Sequence, residues 1–189
     1  MRHRYINTAL FVFLFFALVS VNTIQASPKT STATVTVSVT IVGGPLSIEA
    51  TDLEFQSIDL SSGYNSAIAE NTITVVDPTG TGAGWNVTLK ASDLVSEDAD
   101  AQLSLDELEF EILSISQNRI RGNTNTDNAP TGIEYRTRIS QEELKLVSAA
   151  RNTGMGRFSV TPQYQLTVPE DTVPGTYTSN LTYTIFQGP

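Results

Sequence analysis

An unbroken alternation of apolar and hydroxyl side chains runs through residues 34–41 and is the strongest constraint on the fold. Period-two alternation places every second side chain on the same face of a β-strand. The apolar face would carry Val35, Val37, Val39 and Ile41, and the other face only Thr and Ser. Gly43-Gly44-Pro45 follows and is typical of a strand end. The pattern predicts a half-buried strand over residues 32–41 and a β-rich fold around it.

Similar short runs recur along the rest of the chain, separated by turn residues. The candidate strands are residues 46–48, 53–58, 72–76, 85–91, 108–115, 133–139, 144–149, 158–168 and 177–185. Turn-forming pairs such as Ser62-Gly63, Asp77-Pro78 and Pro174-Gly175 lie between them. Many short strands with such turns are typical of a sandwich or barrel. We therefore expect an all-β fold, a single-domain β-sandwich of roughly nine or ten short strands.

The first 26 residues differ in character from the rest. Residues 2–4 give a basic start, residues 9–21 are almost wholly apolar, and Ala26 offers a small residue for cleavage. These features predict a secretory signal peptide over residues 1–26, because the apolar run is short for a membrane anchor of about 20 residues. Residues 27–189 would then form one secreted domain.

The expected mature chain is strongly acidic. Without Arg2 and Arg4 it has nine Lys and Arg against twenty Asp and Glu, a formal charge of −11. Nucleic-acid binding rests on neutralising phosphates, so this surface argues against that class of ligand. The sequence has no cysteine, which excludes disulfides and a lipid-modified N-terminal cysteine. We expect any attachment to a cell surface to be non-covalent, since no hydrophobic C-terminal tail is visible.

Catalytic and metal-binding chemistry has few residues available. The mature chain has no histidine or cysteine, which excludes Ser-His-Asp and Cys-His catalysis and His- or Cys-based metal sites. Paired carboxylates remain open, since two suffice for glycoside hydrolysis. Glu107, Glu109 and Glu111 alternate with apolar residues, however, which favours a solvated strand face. We expect no enzyme activity, no catalytic residue, no cofactor and no metal.

Two loop motifs resemble ligand sites only faintly. The first consists of Asn123, Asn125, Asp127 and Glu134. Its spacing is that of a calcium loop, but Asn128 replaces the required glycine, so a polar hairpin tip is favoured. The second is the glycine-rich stretch of residues 80–84. A dinucleotide loop opens a helix, whereas residues 85–89 read as a strand, so a flexible connection is favoured.

All six arginines of the mature chain lie between residues 119 and 157. The candidate ligand-binding residues among them are Arg119, Arg121, Arg136 and Arg138. Guanidinium groups bind carboxylates through paired hydrogen bonds, so this cluster is a candidate anion site. The alternative, which we favour, is surface pairing with Glu134, Glu142 and Glu143, because exposed ion pairs are common and weak.

Two aromatic motifs stand far apart in the chain. Trp85-Asn86-Val87, which holds the only tryptophan, follows the glycine-rich stretch, and Tyr183-Thr184-Ile185 lies near the end. Gly154-Met155-Gly156 lies between them. In strands, Trp85 and Val87 would share one face, as would Tyr183 and Ile185. We expect both faces to point inward, which makes these residues structural.

This order of motifs resembles the WxL surface domain of Gram-positive bacteria. The family has a proximal and a distal Trp-x-Leu strand; here Val87 replaces the proximal Leu, and Tyr183 and Ile185 replace the distal pair. The resemblance covers roughly residues 35–189, the stretch that carries the predicted strands. It implies a non-enzymatic cell-surface protein that attaches to the cell wall, with peptidoglycan as ligand and companion membrane-anchored surface proteins as partners. The alternative is a structural or interaction protein that binds another secreted or membrane-anchored surface protein, through an exposed sheet edge.

Overall fold

The computed structural model describes residues 30–117, 129–133 and 135–188. The chain divides into two units, residues 1–40 and residues 41–189. The second unit contains twelve strands among the described residues: β1 Ser47–Ala50, β2 Ser66–Glu70, β3 Ile73–Asp77, β4 Trp85–Ala91, β5 Leu94–Ser96, β6 Ala101–Leu103, β7 Leu108–Gln117, β8 Thr131–Gly132, β9 Thr137–Arg138, β10 Leu144–Ala149, β11 Gly156–Thr167 and β12 Leu181–Gln187. Two short 3₁₀ turns, Leu60–Ser62 and Leu105–Glu107, complete the regular structure.

Two antiparallel sheets hold most of these strands. The larger has the order β1-β3-β11-β7-β9, with β2 also paired to β11, and the smaller has the order β12-β4-β10-β8. β5 and β6 form a separate hairpin. The prediction of an all-β sandwich is confirmed, with more strands than the sequence indicated.

Pro162 divides the long central strand β11 into two halves. The first half pairs with β3 and the second with β2, and the register with β7 shifts between Thr161 and Pro162. Proline has no N–H to donate to a neighbouring strand, so it is tolerated inside a sheet only where the pairing is interrupted. β11 therefore joins two short strands on one side while staying continuous with β7 on the other.

The core fills the space between the two sheets. Every second residue of β4 is buried, as are alternate residues of β3 and β11. The largest fully buried side chains are Trp85, Tyr164, Phe110, Phe158, Ile73, Leu89, Leu108, Ile139 and Leu146. Glu109 and Glu111, which alternate with Leu108 and Phe110 on β7, are only partly buried. Where a second sheet lies opposite, side chains that alternate in the sequence therefore point alternately into the core and out to solvent.

The strand predicted over residues 32–41 is wrong for this structure. Residues 30–46 form neither helix nor strand, and Val35, Val37, Val39 and Ile41 are 81–89% exposed. The stretch over residues 53–58 also forms no strand, although Leu53, Phe55 and Ile58 pack against the core. Alternation makes a segment suited to a sheet, but a strand forms only where a neighbour accepts its hydrogen bonds.

Residues 133–139, predicted as one strand, instead cross between the two sheets. The Ile133 N–H bonds to the carbonyl of Leu146 in the smaller sheet, and the Ile139 N–H bonds to that of Leu108 in the larger one. Two-residue strands, β8 and β9, lie on either side of the crossing. The prediction of one strand is therefore wrong: of its described residues only Thr137 and Arg138 lie in a strand, and its two ends belong to different sheets.

Candidate functional site

The two aromatic motif strands are direct neighbours in the smaller sheet. β12 pairs with β4 in antiparallel register, which places Ile185 opposite Val87 and Tyr183 opposite Leu89. Val87 is fully buried, while Tyr183 and Ile185 are half-buried and pack against the same core. Sequence reasoning placed each pair on an inner face but did not bring the two strands together. The motif residues thus form one continuous patch beneath the larger sheet.

Trp85 lies wholly inside the sandwich, with no exposed surface. Its indole Nε1 donates a hydrogen bond of 2.9 Å to the carbonyl oxygen of Gly154. Its ring packs beside Phe158, with the two ring centres 6.2 Å apart. A buried indole is stable when its one polar atom has a partner, as here. In this conformation the side chain cannot touch a ligand.

Gly154 leaves the space that the indole occupies. A Cβ at this position would lie 2.2 Å from the Ala149 Cβ and 2.6 Å from Trp85 Nε1. The residue also has a left-handed backbone, with φ of 73°, which favours glycine. The sequence motif Gly154-Met155-Gly156 therefore serves the packing of a tryptophan 69 residues away.

Tyr183 belongs to a small polar cluster on the core-facing side of the smaller sheet. Its hydroxyl lies 2.5 Å from that of Tyr164, on β11, and accepts a longer hydrogen bond of 3.4 Å from the Asn71 side-chain amide. Burial raises the pKa of both phenols above their usual value. Both hydroxyls therefore stay protonated at neutral pH. Sequence reasoning missed Tyr164 and Asn71, although Tyr164 belongs to the alternating apolar face of β11.

The described candidate arginines already have acidic neighbours. Arg136, just before edge strand β9, forms a 2.6 Å ion pair with Glu111 and also bonds to Gln165. The Nε of Arg138, on β9, lies 3.6 Å from Glu109. The partners are carboxylates of β7, so the predicted pairing with Glu142 and Glu143 is wrong. Arg138 is the more accessible, with 65% of its side chain exposed against 37% for Arg136. Arg119, Arg121 and Glu134 lie outside the described residues.

The carboxylates considered for catalysis do not converge. Glu109 and Glu111 face arginines, and Asp93 accepts hydrogen bonds from Gln102 and Gln141. Within the described ranges, no group of acidic side chains is placed to hold a metal ion. The predicted calcium-like motif at Asn123, Asn125, Asp127 and Glu134 lies outside those ranges.

The glycine-rich stretch forms the loop between β3 and β4. Buried Asp77 opens it by accepting hydrogen bonds from the Thr79 N–H and hydroxyl, at 3.0 and 2.6 Å. Gly80, Gly82 and Gly84 all have positive φ. The loop leads directly into a strand, so it lacks the helix start that a phosphate site requires.

A cleft of about 1050 Å³ opens on the core beside β12. Its walls are residues 50–61 on one side and residues 172–181 with Tyr183 on the other. Core residues such as Leu94, Leu103 and Leu108 reach its floor, and Asn71, whose Oδ1 has no partner among the described residues, lines it too. Among the described residues that line it, Asp52, Glu54 and Asp59 carry the only charges. The cleft therefore has a mixed polar and apolar lining with an acidic rim.

Comparison with known proteins identifies the family. A family model described as "WxL domain surface cell wall-binding" matches residues 22–189. No curated protein sequence is significantly similar to the chain. Among solved structures, a family 123 glycoside hydrolase from Clostridium perfringens is similar with a TM-score of 0.38 and 14% identity, over 76% of this chain and 25% of that one. A likeness this weak carries no functional argument. Among the described residues, no helix is long and apolar enough to cross a membrane.

Proposed function

Since the chain belongs to the WxL family of surface cell wall-binding domains, we propose that it is a secreted, non-enzymatic protein that attaches non-covalently to peptidoglycan. The family match over residues 22–189 is the observation that carries this proposal. Its expected signal peptide, residues 1–26, would deliver it to the cell surface.

The family motif contributes to this function through the scaffold. Trp85 is fully buried and bonded to Gly154, so a wall ligand would contact other residues. The acidic net charge disfavours simple attraction to anionic wall polymers. Recognition then rests on hydrogen bonds and stacking, together with whatever positive charge the surface offers locally.

Arg138 is the described basic residue best placed to meet an acidic group of the wall. It lies on an edge strand, its side chain is mostly exposed, and its 3.6 Å contact with Glu109 is long for an ion pair. Exposed ion pairs contribute only about 0–1 kcal/mol, so a carboxylate of a stem peptide can displace Glu109 at little cost. Arg136, held by Glu111 and Gln165, is the less available of the two.

A pull-down with purified peptidoglycan and no other protein tests the proposal. We expect the mature protein to sediment with the wall material and the double variant Arg136→Gln, Arg138→Gln to bind less. The matched control is Arg151→Gln, Arg157→Gln, which removes the same charge elsewhere and should bind normally. Higher salt should weaken the contact, because exposed charges are screened over about 8–10 Å.

A variant that frees Arg138 from its ion pair with Glu109 provides a second test of the role of Arg138 in wall binding. The variant Glu109→Gln keeps the shape of the side chain but removes the charge that competes for Arg138. It should therefore bind peptidoglycan more strongly than the wild type. Unchanged binding in both Glu109→Gln and the double arginine variant would remove these arginines from the wall contact. Failure of the wild-type protein to bind purified peptidoglycan would overturn the proposal itself.

The alternative function is that of an interaction protein that reaches the wall through another surface protein. The outer edge of β12, which pairs with no other described strand, and the cleft beside it favour this reading. Sheet edges bind extended segments by adding a strand. Binding to whole cell walls but not to purified peptidoglycan would support this alternative.

A further inference from the structure

We propose that residues 35–41 of one copy of this protein insert as an added strand beside β12 of a second copy, so that the molecules assemble head to tail. The inference goes beyond wall binding and concerns a different part of the surface. It rests on a segment that belongs to no strand and on a sheet edge that pairs with no further strand among the described residues.

The first feature is the segment of residues 32–42. Its composition is that of a strand, with β-branched residues at almost every position, yet it belongs to no sheet among the described residues. One face carries Val35, Val37, Val39 and Ile41, all highly exposed. Contiguous exposed apolar side chains of this kind mark interaction sites rather than ordinary surface. A strand pattern without a sheet is therefore the element that one copy can donate.

The second feature is the outer edge of β12. Of the described strands, only β4 pairs with β12, so its other edge presents backbone groups without strand partners. Proteins usually cover or charge such edges, because they invite pairing with another chain. The side chains of β12 are uncharged along its whole length, Leu181–Gln187. The edge thus has none of the lysines that would keep a second strand away.

The cleft beside β12 suits the apolar face of such a strand. Leu53 and Phe55 form part of one wall, Leu181 and Tyr183 part of the other, and buried core leucines form the floor. A strand that adds to β12 would turn alternate side chains towards this opening. Residues 35–41 and β12 are both seven residues long, so their lengths match.

The negative charge of the cleft favours an uncharged strand over an acidic wall ligand. Its rim holds Asp52, Glu54 and Asp59 and no basic group, so the carboxylate of a stem peptide would be repelled. Residues 30–48 contain no charged side chain, so they enter the cleft without repulsion. An uncharged segment with an apolar face therefore fits this surface better than an anion does.

A second copy is the occupant because each molecule carries both halves of the contact. Donation from copy to copy is a heterologous contact, in which two different surfaces meet; the donor keeps a free edge and the acceptor keeps a free segment. Such contacts build open chains unless the geometry closes a ring. The cleft lies at the side of the sandwich where β1 faces β12. Arg138 lies on β9 at the far edge of the larger sheet, and Arg136 comes just before that strand. Assembly and wall binding can therefore coexist.

Two matched variants of the mature protein test the proposal by size-exclusion chromatography with light scattering. The wild type should form species that grow with protein concentration. Val37→Glu with Val39→Glu places negative charges on the inserted face, where the acidic residues of the cleft repel them, and should leave the protein monomeric. Thr36→Glu with Ser38→Glu adds the same charges to the opposite face and should still assemble. A wild type that is monomeric at every concentration, or equal loss in both variants, would overturn the proposal.

Hydrogen exchange then identifies the occupant of the cleft. Amides of residues 32–41 should be protected in the oligomer and exchange freely in the Val37→Glu, Val39→Glu monomer. A synthetic peptide of residues 32–43 should bind that monomer and dissolve wild-type oligomers. Protection in a wild-type monomer would mean that the segment pairs within its own chain and would contradict the inference. So would displacement of the peptide by soluble peptidoglycan fragments.

Salt separates this contact from wall binding. Two acidic molecules repel each other, so higher salt should promote assembly through an uncharged strand. The wall contact through arginine should weaken under the same conditions. The monomeric Val37→Glu, Val39→Glu variant should still bind peptidoglycan, so that the assembly proposal and the wall-binding proposal can fail independently.

Discussion

Single residues in this domain are constrained most tightly around the only tryptophan. Trp85 has one polar atom, and the carbonyl of Gly154 satisfies it inside a site that excludes water. Gly154 in turn has a positive φ and no room for a side chain. The two residues act as one packing unit, although they stand on different segments.

Trp85→Ala should destabilise the fold strongly. Truncating a buried aromatic residue costs about 3–5 kcal/mol, because the surroundings fill the cavity only in part. Thermal unfolding followed by circular dichroism measures the effect as a large fall in melting temperature. Tyr64→Ala is the control, since Tyr64 is 81% exposed and should change little. Equal melting of both variants would show that Trp85 is not a core residue.

Gly154→Ala should cost more than Gly63→Ala, although the two glycines have nearly the same φ, 73° and 74°. Left-handed backbone alone costs an L-residue roughly 1–2 kcal/mol, and both variants should lose about that. Only Gly154 faces crowding, since nothing lies within 4 Å of a Cβ at Gly63. Overpacking should add about 1–3 kcal/mol at Gly154. Urea denaturation gives both values, and similar losses would contradict the packing account.

Individual strands were predictable where one face of the strand packs against the opposite sheet across the core. The alternation of residues 85–91 and 144–149 predicted β4 and β10 with their observed bounds. Residues 32–41 alternate just as clearly but form no strand, because the pattern records which face is apolar and not whether a neighbouring strand exists. β2, β5 and β6 were missed, since short, partly polar strands carry little periodic signal.

The candidate site was harder to predict, because its contacts depend on register between distant strands. Arg136 and Arg138 were expected to pair with acidic residues near them in the sequence. Their partners, Glu111 and Glu109, are brought close by the pairing of β9 with β7. The Tyr164–Tyr183 contact likewise joins one sheet to the other. No local pattern encodes either neighbour.

The contact between β11 and β12 predicts how stability depends on alkaline pH. Tyrosines ionise near pH 10 in an unfolded chain, whereas burial raises the pKa of Tyr164 and Tyr183 in the folded protein. Their contribution to stability is therefore full below about pH 10 and is lost as the pH rises further. We expect the free energy of unfolding, measured in urea, to fall steeply above pH 10.

A variant with both hydroxyls removed isolates this effect. Tyr164→Phe with Tyr183→Phe should show a shallower alkaline decline than the wild type. Tyr64→Phe with Tyr135→Phe, which changes two exposed tyrosines, should keep the wild-type slope. If the slopes of both variants match the wild type, the buried pair does not control the alkaline transition.

At the scale of the whole molecule, the sandwich has two sides of different character. One carries the acidic-rimmed cleft beside β12, and the other carries the ion pairs of β7 with β9. The strongly acidic balance favours a protein that stays dissolved until it meets a specific partner. Secretion is a premise of both proposals, since wall and second copy would be met outside the membrane.

The expected secretion makes a prediction about the N-terminus. The mature protein should begin near Ser27, because a basic start, an apolar run and Ala26 match the pattern of a cleaved signal peptide. Mass spectrometry of protein recovered from the cell surface or medium measures this directly. An exported protein that retains Met1 would show that residues 1–26 are not removed.

Both ends of the sandwich chain are held by one loop, residues 78–84, and this determines how the domain responds to mechanical force. The Gly44 N–H bonds to the Pro78 carbonyl at 3.0 Å, and the Gly188 N–H bonds to the Gly84 carbonyl at 2.9 Å. β1 and β12 therefore start and finish at the same end of the sandwich. Tension between these two points would peel each edge strand away one hydrogen-bonded pair at a time. Tension along a donated strand would instead load all of its pairs with β12 together, so the contact between two molecules would resist pulling better than the edge strand β1 of either one.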